Sequence, residues 1–388
     1  MHVLYLCHRH LDLEIGGLAE FLHYLPLALK SFNIKSLIYT QAENKNTKHL
    51  LGPRILENQA SCYSGPFLKP AFFPDKKLLQ PLMQLCREQH IDLIHAQGTY
   101  RASFMAMHVN KQLGIPYIVT SHSDILAVNS ARLRRRSIRY RCRKALQHSA
   151  QVTHLTPLMI HASSQLCNTD EKNIVIGNGI DFSVWQTYQE TPEQNYMLAI
   201  GRLEPEKGFH VLIEAYARLK NQRTNTALVI AGTGSAEQAL KIQATHLGLH
   251  IASEFTNNPL PGTIVFTGYV KKTAKMQLVA AAKIILFAPQ SATWEEAFGI
   301  VQLEAMAAGK VLIASDIPQT RYLQTHGLQA ALVAADNVAE WAEQMQRFIE
   351  APDLCQTWGG LNRLAAVQFD WKTIAEQYGA LYRKVLTP

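Results

Sequence analysis

About eleven short aliphatic and β-branched runs recur along this chain, with helix-length segments between them. HVLYLC, SLIYT, DLIHA, YIVTS, QVTHLT and NIVIG come first; YMLAIG, ALVIAG, TIVFTG, IILFAP and VLIASD follow. A strand with one wet face alternates apolar and polar residues, and these runs do not. Continuously apolar strands belong to parallel sheets covered by helices on both faces. So many strands overfill one doubly wound sheet with helices of this length. The pattern therefore predicts two Rossmann-like units of five or six strands each, and 388 residues suit two domains better than three.

Residues 186–195 are polar and contain proline, as a linker between a finished strand and a new one should. The reading is an N-terminal Rossmann-like domain over 1–185, a second over 186–368, and a helical tail over 369–388. Asp370 can cap that tail. Trp371, Ile374, Ala375, Tyr378, Leu381, Tyr382 and Val385 give it one apolar face, which must dock, and the N-terminal domain is the expected surface.

Composition excludes several classes. No apolar run approaches the roughly 20 residues that span a bilayer. MHVLYLCHRH lacks the charged lead, long apolar core and cleavage site of a secretion signal, so it reads as a first strand and a cytoplasmic location is expected. Six scattered cysteines, with no C-x-x-C pair, read as reduced core thiols. A net charge of +8 suits anionic partners without choosing among them.

Ligands of open parallel sheets sit beyond the carboxyl ends of strands. After YMLAIG, Arg202 and Lys207 occupy a short loop and could neutralise a diphosphate, although two solvated loop charges read the same. The next strand ends in Gly232 and Gly234, which permit close backbone approach to a ligand. After IILFAP, a helix is expected from about Gly299, with Glu296 in the loop before it and Glu304 in its second turn. In one continuous helix these acids would lie about 80° apart, on different faces. In loop and helix they can flank one site, and the free amides around Phe298, Gly299, Ile300 and Val301 form an anion cradle. Glu304 has Ile300 and Ala308 one turn away, so it borders the apolar stripe, where a carboxylate needs a partner. A ligand hydroxyl, a structural Arg or a backbone donor would serve. Glu296, beside Glu295, reads equally as an exposed loop acid.

GRLEPEKG (201–208), IVIGNGID (174–181) and the Glu-seven-Glu block EAFGIVQLEAMAAGKVLIASD (296–316) resemble glycosyltransferase family 4. So does the N-terminal IGGLAEFLHYLPLALKSFNIKSLIYT, and the matches run in the family's order to about residue 320. The resemblance implies a GT-B fold, with two Rossmann-like domains facing across a cleft, and retaining transfer of a sugar from a nucleotide-diphosphate donor. Carried over, Arg202 and Lys207 would hold the diphosphate, Glu304 the ribose, and Glu296 the hydroxyls of the transferred sugar. Gly16 and Gly17 would let the first loop approach diphosphate or acceptor, and His122, in TSHSD, would stand near the reaction centre. As a residue in its own right, His122 reads also as a strand-end histidine bonded to backbone. The chain departs from the family at SDIPQTRYL, where Arg321 and Tyr322 replace small or acidic residues. It also carries Trp294 in a longer Glu-containing loop.

No Asp-x-Asp occurs, so metal-independent activity is expected, with cations and helix amides stabilising the leaving group. No cofactor beyond the nucleotide sugar is expected. Residues 131–146, ARLRRRSIRYRCRKAL, hold eight cations and no acid, with Ile138, Cys142 and Leu146 at helical spacing. A solvated helix face and a surface for acidic lipid headgroups both fit, while nucleic acid is not expected because Tyr140 is the sole interleaved aromatic. These readings favour a cytoplasmic enzyme at the inner membrane face, acting on an envelope glycolipid such as a lipopolysaccharide precursor. A soluble small-molecule or protein acceptor, or a non-catalytic sugar-nucleotide or RNA-binding protein, are the alternatives.

Overall fold

The apolar runs pair side by side in two separate parallel sheets. The structure, a computed structural model, describes residues 1–8, 16–43, 47–58, 60–67, 76–122, 133, 135–220, 226–252, 255–256, 259–290 and 296–387. It divides into one unit of Met1–Gly179 with Trp371–Pro388, and a second of Ile180–Asp370.

In the first unit the strands are β1 (His2–Cys7), β2 (Lys35–Gln41), β3 (Leu51–Ile55), β4 (Ser61–Gly65), β5 (Leu93–Gln97), β6 (Tyr117–Ser121), β7 (Gln151–His154) and β8 (Asn173–Val175). Its first helices are α1 (Gly17–Leu29), α2 (Gln80–Glu88), α3 (Arg101–Leu113), α4 (Arg136–His148) and α5 (Pro157–Ser164). Strand order is β3-β4-β2-β1-β5-β6-β7-β8, with only β3 antiparallel to its neighbour.

The second unit contains α6 (Phe182–Gln186), β9 (Tyr196–Ile200), α7 (Phe209–Lys220), β10 (Ala227–Ala231), α8 (Glu237–His246), β11 (His250–Ala252) and β12 (Thr263–Gly268). It continues through α9 (Lys272–Ala281), β13 (Ile284–Phe287), α10 (Ile300–Ala307), β14 (Val311–Ser315), α11 (Pro318–Thr325), β15 (Ala330–Val333), α12 (Val338–Glu350) and α13 (Pro352–Ala366). Its order is β11-β12-β10-β9-β13-β14-β15. The sheets thus have eight and seven strands rather than five or six each. The extra ones are β3, β4, β11 and β15, and none of them is a long aliphatic run. Three of these four are sheet edges, where one flank is open and continuous apolar sequence is not required.

Topology fixes where loops converge. From β9 the chain builds outward through β10 to β12, then returns to place β13 on the other side of β9. The first unit does the same around β1, with β5 on its far side. At each reversal neighbouring loops diverge and leave a crevice beyond the strand ends.

The chain enters and leaves the second unit side by side: Ile180 donates from its amide to Phe369 at 2.8 Å and bridges Asp370. Helix α6 lies on the second unit's side of this boundary, with Asp181 accepting at Oδ1 from the Val184 amide and Trp185 buried. Asp370, read as a helix cap, accepts at Oδ2 from the Phe182 amide at 3.2 Å.

The terminal helix α14 (Trp371–Leu386) belongs to the first unit. Trp371, Ile374, Ala375, Tyr378, Leu381 and Tyr382 are buried in that unit's core with Tyr5, Phe21 and Leu25, and Val385 packs at its margin. The large side chains among them each contribute about 1.5–3 kcal/mol by leaving water. Their polar tips are bonded too. The Tyr382 hydroxyl lies 2.8 Å from His95 Nδ1 and 3.0 Å from the Tyr5 hydroxyl, and Tyr378 lies 3.4 Å from Thr120 Oγ1. His95 also meets Thr120 through Nε2, and burial holds its pKa well below the usual imidazole value. All six cysteines are free and buried.

Candidate functional site

In the second unit the loops after β9 and β13 stand next to each other at the strand-order reversal. Backbone bonds fix the first of them. Leu203 donates to Thr233 at 2.9 Å, Ala236 donates to Leu203 at 2.8 Å, and Gln290 donates to Glu206 at 2.8 Å. Gly232 serves this locking. With φ +138°, a Cβ there would collide with the Gly201 carbonyl oxygen. The absence of a side chain at Gly232 is thus required by neighbouring backbone.

Lys207, held by this loop, forms an ion pair with Glu296 Oε2 from the loop before α10, and both side chains are largely buried. Two residues read separately, 89 positions apart, therefore meet directly. Arg202 is exposed at the edge of the same loop. It helps hold the Glu204 carboxylate below its usual pKa, although the Ser235 hydroxyl and amide do most of that.

Helix α10 begins where expected. Gly299 is its N-cap with φ +75°, and a Cβ there would lie 2.6 Å from the Phe287 ring and 2.7 Å from Gln302 Nε2. Phe298 is buried and anchors the turn. The Gln302 amide closes back on the Gly299 carbonyl, which leaves the amides of Ile300 and Val301 at the open end of the helix. Glu304 is 4% exposed in the second turn. Its Oε1 pairs with Lys275 of α9, a partner that sequence reading missed. One signal was present: the start of α9 carries Lys271, Lys272 and Lys275 with no acid, at the end where the helix dipole disfavours cations.

A second cluster sits at the reversal of the first unit. His122 follows β6 and shares a 2.9 Å hydrogen bond between its Nε2 and Gln97 Oε1 of β5. Its ring meets Phe21 of α1 edge-on at 5.4 Å. Gly16 is the N-cap of α1, and Gly17 opens the helix. The partner of His122 is thus a side-chain amide as well as its local surroundings, and Gln97 was not singled out by sequence.

The other sequence features fall elsewhere. On α4, Ile138, Cys142 and Leu146 are buried and Arg135, Arg136, Arg139 and Arg143 are exposed, with Tyr140 60% exposed. Arg141 departs from the basic face: it is 4% exposed, with its guanidinium 5.5 Å from the Phe104 ring of α3. Arg321 is held in a fork by Asp316 at 2.5 and 2.6 Å. Trp294, Arg132 and Arg134 lie outside the described residues. Among the described residues, no group of three or more His, Cys, Asp or Glu could hold a metal ion, and no helix is long and apolar enough to cross a membrane.

Comparison with known proteins places these clusters in context. Residues 15–184 match the family model described as Glycosyltransferase Family 4, and residues 185–363 match the one described as Glycosyl transferases group 1. A phosphatidyl-myo-inositol mannosyltransferase of Mycobacterium tuberculosis is 30% identical over 221 residues, covering 55% of this chain and 54% of the relative. A glycogen synthase of the same organism is 30% identical over 211 residues, covering 54% and 47%. The matched segment thus spans about half the length of these curated relatives. The crystal structure of Anabaena HepE in complex with UDP superposes with a TM-score of 0.76 at 21% identity, covering 99% of this chain and 100% of that one. The shared fold is GT-B.

Proposed function

The chain belongs to glycosyltransferase family 4, and from that premise we propose that it transfers a sugar from a nucleotide-diphosphate sugar to a hydroxyl acceptor. The observation that carries this reading is the meeting of Lys207, Glu296 and the open end of α10 at one strand-order reversal. In this reading Arg202, Lys207 and the amides of Ile300 and Val301 bind the diphosphate. They stabilise the negative charge that grows on it as the sugar departs, which is preorganised electrostatic catalysis without a metal. Lys207 is in place but neutralised by Glu296. As a diphosphate takes over Lys207, the Glu296 carboxylate becomes an acceptor for hydroxyls of the transferred sugar. Glu304, deeper on α10, takes the hydroxyls of the ribose. The anomeric configuration of the donor is retained.

The acceptor is read as a cell-envelope glycolipid, such as a lipopolysaccharide precursor, reached from the cytoplasmic side of the inner membrane. Four exposed arginines and Tyr140 on or just before α4 support this, because a basic helix face with an exposed aromatic suits acidic headgroups. The mannosyltransferase relative, whose name includes a phosphatidyl lipid, favours the same reading. The glycogen synthase relative favours a soluble acceptor instead.

The test is turnover of uridine, guanosine and adenosine diphosphate sugars by purified protein, with and without a metal chelator. The reading expects hydrolysis or transfer with at least one donor, unchanged by chelation. Binding without any turnover across a broad acceptor panel would favour a non-catalytic protein. Liposomes with anionic lipid should be bound less as salt rises; salt-insensitive or absent binding would remove the membrane part.

A further inference from the structure

Lys275 stands at the wrong end of its own helix. The start of α9 holds Lys271, Lys272 and Lys275 and no acid, against the positive end of the helix dipole. What compensates Lys275 is a residue of another helix, Glu304, whose carboxylate is almost wholly buried while the lysine keeps partial access to solvent. A buried carboxylate without a cation beside it shifts toward its protonated form. A carboxylic acid then donates at one oxygen, whereas a carboxylate accepts at both. Vicinal ribose hydroxyls offer two donors, and the carboxylate can accept from both together at its two oxygens. Helices α9 and α10 pack together, so the pair also fixes the direction in which Glu304 points.

We propose that Lys275 is a positioning residue of the nucleoside half of the donor site, holding Glu304 as a two-fold acceptor for the ribose hydroxyls. This rests on the assignment of Glu304 to the ribose. A purely architectural ion pair would lower stability when broken and leave recognition of the sugar unchanged, so the two roles separate cleanly.

The experiment is calorimetric titration of wild type, Lys275→Met and Lys275→Arg with uridine, guanosine and adenosine diphosphates and their 2′-deoxy and 3′-deoxy forms. Wild type should prefer the ribonucleotide by on the order of tenfold, as expected for hydrogen bonds to a charged group. Lys275→Met should bind ribo and deoxy forms within about twofold of each other, and Lys275→Arg should restore the preference. If Lys275→Met keeps the full preference, the proposal is overturned even if its melting temperature falls. Should that variant not fold, Lys275→Gln is read by the same criterion. Wild type that binds a diphosphate without preferring ribose overturns this assignment and leaves the nucleotide site standing. Wild type that binds none of the diphosphates removes both.

Discussion

The two strand-order reversals of this chain share a topology and differ in chemistry. Among the described residues beyond β1, β5 and β6, the first unit brings together a glycine-opened helix, His122 bonded to Gln97, and the ring of Phe21. Beyond β9 and β13, the second unit gathers charge: Lys207 on Glu296, Lys275 on Glu304 nearby, and Arg202 at the edge. The contrast extends inward. Beneath the first crevice, His95, Tyr5, Tyr382, Thr120 and Thr153 satisfy one another as uncharged partners. The second unit instead keeps Glu304 in a buried position beside a cation. Charge that is withdrawn from water and paired is costly to assemble, and the pairing holds the cation in place until another anion exchanges for the carboxylate. The difference teaches that one fold can carry paired, buried charge at a strand-order reversal in one unit and, among the described residues, a different set of partners at the matching point of the other.

The contrast breaks first if the cations of the second unit prove dispensable. On the proposed reading Lys207→Ala removes a diphosphate contact and strands Glu296, so kcat/KM for a nucleotide sugar should fall by on the order of a hundredfold to a thousandfold; steady-state kinetics measure it. Arg202→Ala, more exposed, should cost about 10- to 100-fold, the equivalent of one charge-assisted hydrogen bond of about 1.5–3 kcal/mol. Unchanged turnover would remove Arg202 from the site. Gly299→Ala meets both the Phe287 ring and a positive φ, and should destabilise by about 1–3 kcal/mol, read from chemical denaturation.

Glu296→Gln sharpens the comparison in the opposite direction. Lys207 would no longer be neutralised, so a nucleoside diphosphate lacking the sugar should bind several-fold more tightly, while turnover falls. Weaker diphosphate binding would show that Glu296 positions Lys207 rather than competing for it. The smallest effect belongs to the first unit. His95 is kept neutral in the fold and gains a proton more readily when unfolded. The unfolded chain therefore binds more protons below about pH 6.5, and stability should decline as pH falls through that value, by at most about 1.4 kcal/mol per pH unit. Replacing His95 by Gln should flatten that part of the profile.

What could be seen in the sequence followed from local pattern. The continuous runs marked their strands because both faces of each are covered. The face of α14 was legible because helical spacing alone puts Trp371, Tyr378 and Tyr382 on one side. Gly299 announced a helix start, and the neighbours of Glu304 announced its burial. What stayed hidden was every property made by distant residues meeting. The family resemblance put Lys207 and Glu296 on one donor, but nothing in the residues announced that they pair with each other, or Lys275 with Glu304, because each pair spans separate elements. Gly232 was legible as a place of close backbone approach, but the Gly201 carbonyl beside it was not. Arg141 looked like one of a basic row until Phe104 of α3 turned out to lie beneath it.

The most direct test of the account is a crystal structure with the nucleoside diphosphate that binds most tightly. The account predicts phosphate oxygens within hydrogen-bond distance of Lys207 Nζ, the Arg202 guanidinium and the Ile300 or Val301 amide, with the Lys207–Glu296 pair opened. A diphosphate bound elsewhere, with that pair intact, would contradict it.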